Sequence, residues 1–400
     1  MLRKLALALA VMAPAATPCF AQVKAGDVTI EFYGSVQLDG IYDFDRVDPD
    51  WTGAFRPSKI PTVDGAFGQN GQANFSVRQT LFGISGSAPV ADKPLKAQFE
   101  FDLFGQGGST GETTFHLQRA SVEWGNLLFG YDKTLLMDPD LFPNIIDYWG
   151  PNGMIYVKNA QLRYAFVNSD TVYFAAGLEL PGNDVDPGVI RILDPTLGDN
   201  LNSTQKYPDL TLAGKFSGDW GYLRLGGVAR RVGFETRNSP GGDPHGGEFG
   251  WGVNLTSNLK LGESTTIRAG GVYGHGIASY FNDGGTDLAG QLNSDGTVEA
   301  KAVKIYGLMA YVDHDWNDQF ATSIGASRTR VDNTNLQSGD AFGTGDYASV
   351  NLTYKPIENL LLGAEVLYGR RKDNNGATGE DTRVQFSMRY SYGVKVMGHR

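Results

Sequence analysis

The sequence holds one cysteine, Cys19, in 400 residues, so no intramolecular disulfide forms and stability must come from elsewhere. Positive charge is also scarce: 34 Lys and Arg against 44 Asp and Glu give a formal net charge of −10. That balance argues against nucleic-acid binding on electrostatic grounds. The five histidines, His116, His245, His275, His314 and His399, are scattered, and none sits with a carboxylate or second His at metal-ligand spacing. A catalytic Ser-His or Asp-His pair meets in space rather than in sequence, yet no residue here marks one. The sequence therefore implies no enzyme, no cofactor and no metal. Residues 105–111 are glycine-rich but lack a following Lys-Ser/Thr and a helix, so they read as a hairpin loop and not as a phosphate cradle. Asp43, Asp45, Asp48 and Asp50 lack Gly and Glu at calcium-loop positions and read as a solvated acidic loop. Beyond the first 21 residues no apolar run approaches the ~18–20 residues of a membrane helix, so a membrane span by this chain has to be a barrel.

What is present begins with an export pattern. Arg3 and Lys4 precede an apolar run from Leu5 to Ala13, and Cys19-Phe20-Ala21 follows, the order of a secretory signal. The expected signal peptide is 1–21, cut after Ala21, and the expected mature domain is a single barrel over 22–400. Cleavage removes the only thiol and two cations, taking the charge from −10 to −12. Pro18 fits lipidation of Cys19 badly. The 53 Gly, 18 Tyr and 22 Phe suggest strands and turns, while a mean hydropathy of −0.26 would suit a soluble protein. One greasy face and one wet face reconcile the two.

Period-two alternation supplies the strands. From Val28 to Phe44 the even residues Ile30, Phe32, Val36, Leu38 and Tyr42 alternate with Glu31, Ser35, Gln37, Asp39 and Asp43. The split recurs at Leu95–Leu103, Val172–Leu178 and Phe249–Leu255. Near the C-terminus, Val384, Phe386, Met388, Tyr390 and Tyr392 alternate with Arg383, Gln385, Ser387, Arg389 and Ser391. A charge on the lipid face costs ~2–4 kcal/mol at mid-depth, so the Arg side faces the lumen. About sixteen such segments are expected. Their phase stays open in three places: 78–86, 115–124, where Arg119 and Glu123 share parity with Phe115 and Leu117, and 303–312.

Connections alternate between short turns and long loops, the pattern of an antiparallel transmembrane β-barrel with periplasmic turns and external loops. The expected class is therefore all-β, placed in the cell outer membrane among its lipid and lipopolysaccharide, with small hydrophilic solutes as partners. A secreted β-protein, an adhesin or receptor barrel and an outer-membrane enzyme barrel are the competing readings. The third long connection, 133–156, is unlike the others. It carries Leu135, Leu136, Met137, Leu141, Phe142, Ile145, Ile146, Tyr148 and Trp149, and an apolar loop in water needs a surface to pack on. Folded into the lumen it would bring Asp138, Asp140 and Asp147 to a constriction, opposite Arg163 and Arg389, with Arg119 as a further candidate.

Several motifs carry a family resemblance. Val122-Glu123-Trp124-Gly125, Leu127-Leu128-Phe129-Gly130-Tyr131, Met137-Asp138-Pro139-Asp140 and Gly150-Pro151-Asn152-Gly153 resemble the DcaP-like group of trimeric outer-membrane porins, within the general porins. So do Phe32–Asp39 and Arg78-Gln79-Thr80. The likeness covers most of the mature chain and is dense over 28–44 and 75–165. It implies a homotrimer, uptake of dicarboxylates and other small anions, and a third loop that forms the constriction. The chain departs from the pattern at Leu81, where many relatives carry a second basic residue. It also lacks a coiled-coil N-terminal extension, and it runs on past Tyr392 instead of stopping on an aromatic.

Overall fold

The computed structural model describes residues 28–105, 114–180, 182–193, 195–238 and 243–397. The expected signal peptide 1–21, most of the stretch 105–111 and residues 398–400 lie outside them. Sixteen antiparallel strands form one closed sheet. In chain order they are Thr29–Asp43, Gln72–Ser76 continued by Leu81–Val90, Lys93–Asp102, His116–Trp124, Leu127–Lys133, Lys158–Asn168, Val172–Leu180, and Leu201–Thr204 continued by Asp209–Gly218. The second half comprises Gly221–Thr236, His245–Leu261, Thr265–His275, Lys304–Asp315, Phe320–Asp332, Phe342–Ile357, Leu360–Asp373 and Thr378–Met397. The last strand pairs with the first from Thr29↔Met397 to Asp43↔Arg383 and leaves no edge. Five residues of the tail beyond Tyr392 thus lengthen the closing strand.

The outward and inward faces follow the alternation. Ile30, Phe32, Val36, Leu38 and Tyr42 are exposed on the outer wall, while Gln37, Asp39 and Asp43 are buried inside. On the closing strand Phe386, Met388 and Tyr390 point out, and Arg383, Gln385 and Ser387 are buried within. Two of the unclear phases are bulges. Between Asp39↔Ser76 and Ser35↔Leu81 the second strand gains one residue on the first, so its parity flips at residues 77–80. Opposite Glu100 and Phe101 the fourth strand pairs through Arg119 and Leu117, leaving Gln118 as the extra residue. Two residues facing one side at a bulge is how Arg119 comes to share parity with outward Leu117 and still face the lumen.

The third unclear phase has a different cause. On Lys304–Asp315 both faces are apolar: Leu308 and Val312 point out, and Ile305, Met309 and Tyr311 are buried inside. Those inner residues are the seat of the third loop. Leu136, Met137 and Ile155 pack with Val272, Val303, Ile305 and Val331, together with Ile277, Tyr280 and Phe281 of the sixth loop. Leu141 and Met154 pack with Met309, Tyr311, Tyr347 and Leu367, and with Val47, Phe55 and Ile60 of the first loop. A small sheet of Val185–Asp186, Leu288–Leu292 and Val298–Ala302 ties the fourth loop to the sixth. The fourth loop also holds two short helices, Ile190–Leu193 and Pro195–Asn200, which the alternation did not foreshadow.

Candidate pore constriction

The third loop leaves the wall at Lys133 and returns at Lys158, and between them it is hydrogen-bonded to the inner faces of distant strands. Asp138 accepts from the Tyr222 hydroxyl at 2.8 Å and the Thr256 hydroxyl at 2.5 Å. Glu365 accepts from the Ile146 amide at 3.1 Å and the Asp147 amide at 2.8 Å. Gln79 donates at 3.0 Å to both Asp39 and the Ile146 carbonyl, so the Arg78-Gln79-Thr80 bulge clamps the loop. Asn351 donates to the Asn144 carbonyl at 2.8 Å, and Ser327 accepts from the Gly153 amide at 2.7 Å. At Gly153 a Cβ would collide with backbone atoms of Leu308 and Arg328, so only glycine lets the loop approach this closely.

The tip crosses to the opposite arc. Tyr148 stacks on Phe104 with ring centroids 3.5 Å apart and donates to Asp102 at 2.6 Å. Burial and the Asp102 carboxylate hold its phenol above the ordinary range, which keeps it a donor. Trp149 donates to the Asn282 carbonyl at 2.8 Å. Arg56 lies between Trp51 and Trp149, 4.3 and 4.2 Å from their ring centroids, and pairs with Asp283 at 2.8 Å.

Between the third loop and the inner face of the third to eighth strands, which the loop touches at Asp102 and through Leu135 at Ala165, Ala175 and Ala213, lie two cavities. One, of about 160 Å³, is bounded by His116, Tyr131, Tyr148, Trp149, Tyr156 and Lys158. The other, of about 340 Å³ and nearer the periplasmic turns, is bounded by Arg119, Glu123, Asp132, Lys133, Asp138, Asp140, Arg163, Lys215 and Arg224. Arg119 pairs with Asp132 at 3.2 Å and Lys215 with Asp140 at 2.7 Å, and Arg224 is spent on the Leu135 and Leu136 carbonyls. Lys133, Lys158 and Arg163 form no ion pair among the described residues; Arg163 donates to Gln161 and, at 2.7 Å, to the Lys133 carbonyl.

Residues 5–392 match the family model described as DcaP outer membrane protein. The chain belongs to the DcaP outer membrane protein family. Among solved structures it resembles the outer membrane channel DcaP of Acinetobacter baumannii, with a TM-score of 0.75 at 20% identity over 92% of this chain and 98% of that one. The anion-selective porin from Comamonas acidovorans gives 0.59 at 10% identity over 91% and 100%. OmpT of Vibrio cholerae, an outer-membrane protein, gives 0.55 at 12% identity over 92% and 98%. No curated protein sequence matches. The DcaP-family chain is thus a barrel of the cell outer membrane, from a family of porins and channels.

In this DcaP-family barrel the six residues expected at the constriction separate. Asp140, Arg163 and Arg119 meet at the larger cavity, with the Asp140 side chain 61% exposed. Asp138 borders that cavity but is buried in its hydroxyl cage and serves as an anchor. Asp147 is buried, accepting from the Phe55 and Gly150 amides at 3.1 and 2.8 Å and from the Tyr347 hydroxyl at 3.2 Å, so it shapes the loop rather than facing the lumen. Arg389 faces inward on the closing strand and lines neither cavity. Of the four acids expected in a solvated loop, Asp43 is instead buried at the end of the first strand and pairs with Arg383 at 2.5 Å, while Asp48 caps a short helix. Lys133 and Lys158 were missed because they stand where strand becomes loop. Strict alternation gives Asp132 and Asn159 to the lumen, and both are buried there, yet Lys133 and Lys158 line the cavities as well. His116 was likewise missed as a partner of Asp102, 3.1 Å away across a hairpin. Their register of Asp102↔His116 was a signal only once the bulge was known.

Proposed function

We propose that the chain forms a water-filled channel for passive diffusion of small hydrophilic solutes, favouring small anions such as dicarboxylates. The observation that carries the reading is the trio Lys133, Lys158 and Arg163: cations that border the two cavities beside the infolded loop and form no ion pair among the described residues. In a confined gap such charges act on a passing ion with less screening than on an open surface. The family resemblance points to the same class of solute. The test is the reversal potential of the purified protein in a planar bilayer under a potassium chloride gradient. Anion preference that falls in Lys133→Gln supports the proposal, and cation preference in the unaltered protein overturns it.

A homotrimer completes the reading. The third, fourth and fifth strands have 10, 9 and 7 residues. At ~3.3 Å per residue and a tilt of ~40°, seven residues reach only ~18 Å of a ~25 Å apolar band. The outer face of this low wall is rich in phenylalanine: Phe99, Phe115 and Phe129 are exposed, and Phe101 packs edge-on against Phe115. A short greasy wall is served better by neighbouring copies than by lipid. A compact band that resists detergent until heated is the expected behaviour on a gel, and a heat-independent monomer band counts against it.

A further inference from the structure

On the side of the barrel away from the low wall, the outer surface carries a built groove. Its floor is a row of alanines in register across four strands, Ala269↔Ala310, Ala310↔Ala326 and Ala326↔Ala348. With strands ~4.8 Å apart, that row makes a trough roughly 15 Å long. Leu223, Leu255, Leu308 and Tyr368 form its rims, and its volume is about 810 Å³. The next register row toward the extracellular ends is charged: Arg328↔Asp346 and Asp346↔Arg370, then Arg370↔Glu380. Arg328 pairs with Asp346 at 2.5 Å with 57% of its side chain exposed, and both border the groove. In the row beyond that charged one Tyr306, Arg330, Thr344 and Lys372 stand in one line. Arg370 and Lys372 form no ion pair among the described residues; Arg370 stands in register between Asp346 and Glu380, so Lys372 in the next row supplies the surplus charge.

An acyl-wide apolar trough flanked along its extracellular side by outward charges matches one kind of neighbour, a phosphorylated amphiphile. We propose that this groove holds the lipid portion of lipopolysaccharide, one acyl chain along the alanine row and its sugar phosphates against Arg328, Arg370 and Lys372. Charge complementarity and position both select this occupant. The cations lie at the extracellular ends of strands of 12 to 16 residues, long enough to cross the membrane unaided, so this wall faces lipid and not another copy. The inference rests on the outer-membrane placement and is independent of solute preference.

The protein, extracted in mild detergent from outer membranes, is assayed for 3-hydroxy fatty acids retained per barrel. The same measurement is made on Arg328→Gln/Arg370→Gln/Lys372→Gln, on the groove-filling variants Ala326→Leu and Ala326→Leu/Ala348→Leu, and on Arg237→Gln in the fifth loop as a control. The proposal expects a three- to tenfold loss in the charge variant and in the groove-filling variants, with Arg237→Gln unchanged. All should keep the parent's conductance and heat-modifiable band, which separates this result from failure of the channel reading. Retention at the parent level in either class overturns the proposal. So does loss of the oligomer in the groove variants, which would make the groove a protein interface. Equal rebinding of phosphatidylglycerol and purified lipid A to delipidated protein also overturns it.

Discussion

Replacing Arg163 by Gln tests the pore most directly, because this cation borders the larger cavity and has no carboxylate to release when removed. Its partners, the Gln161 side chain and the Lys133 carbonyl at 2.7 Å, are neutral, so the whole unit of charge is lost to the gap. For an ion passing ~6 Å away in a wet pore of effective dielectric ~60, one charge is worth about 0.9 kcal/mol, or about 0.4 kcal/mol after screening at physiological salt. Anion and cation shift in opposite senses, so the permeability ratio should move toward cations by roughly four- to twentyfold. The assay is the reversal potential of single channels in a salt gradient, with Asp184→Asn in the fourth loop as the comparison. An unaltered ratio in Arg163→Gln beside an altered one in Asp184→Asn would refute the placement of the constriction.

Glu365→Ala leaves the Ile146 and Asp147 amides without their buried acceptor, at ~1–3 kcal/mol each, and should lower the unfolding temperature of the barrel and add gating noise to single-channel records. Gly153→Ala pushes the loop off Leu308 and Arg328, and thermal denaturation should show a loss larger than the ~0.5–1 kcal/mol gain that alanine otherwise gives over glycine. Tyr390→Asp puts a charge on the lipid side at up to ~2–4 kcal/mol and should reduce surface levels, measured by immunoblot of outer-membrane fractions, whereas Ser391→Asp on the inner side is tolerated. Equal levels for the two would reverse the phase of the closing strand.

How much of this was legible in the sequence depends on whether neighbours obeyed the pleat. The first and last strands were readable residue by residue because one face is lipid and the other polar, so Ile30 to Tyr42 and Val384 to Tyr392 sort by parity alone. Parity failed at residues 77–80 and at Gln118, where an inserted residue turns the strand over, and no local composition announces a bulge. It failed at Ile305, Met309 and Tyr311 for a different reason, since their greasy inward face is explained only by a loop more than 140 residues earlier. The loop's apolar content did foretell that it must pack. Which of its aspartates would face solvent was not readable, because burial of Asp138 and Asp147 depends on hydroxyls of Tyr222, Thr256 and Tyr347 from distant strands.

The apolar seat under the third loop also limits how this pore can be re-engineered. Shortening a constriction loop is the direct way to widen a channel, and it presumes that the wall behind the loop is already suited to water. Here that wall is Val272, Ile305, Met309, Tyr311, Tyr347 and Leu367. Stripping the loop would wet this surface at about 25 cal/mol per Å², and a hydrophobic stretch inside a narrow tube tends to dewet. A trimmed variant would therefore gain width on paper while acquiring a vapour-prone patch, unless Ile305 and Met309 were made polar in the same step.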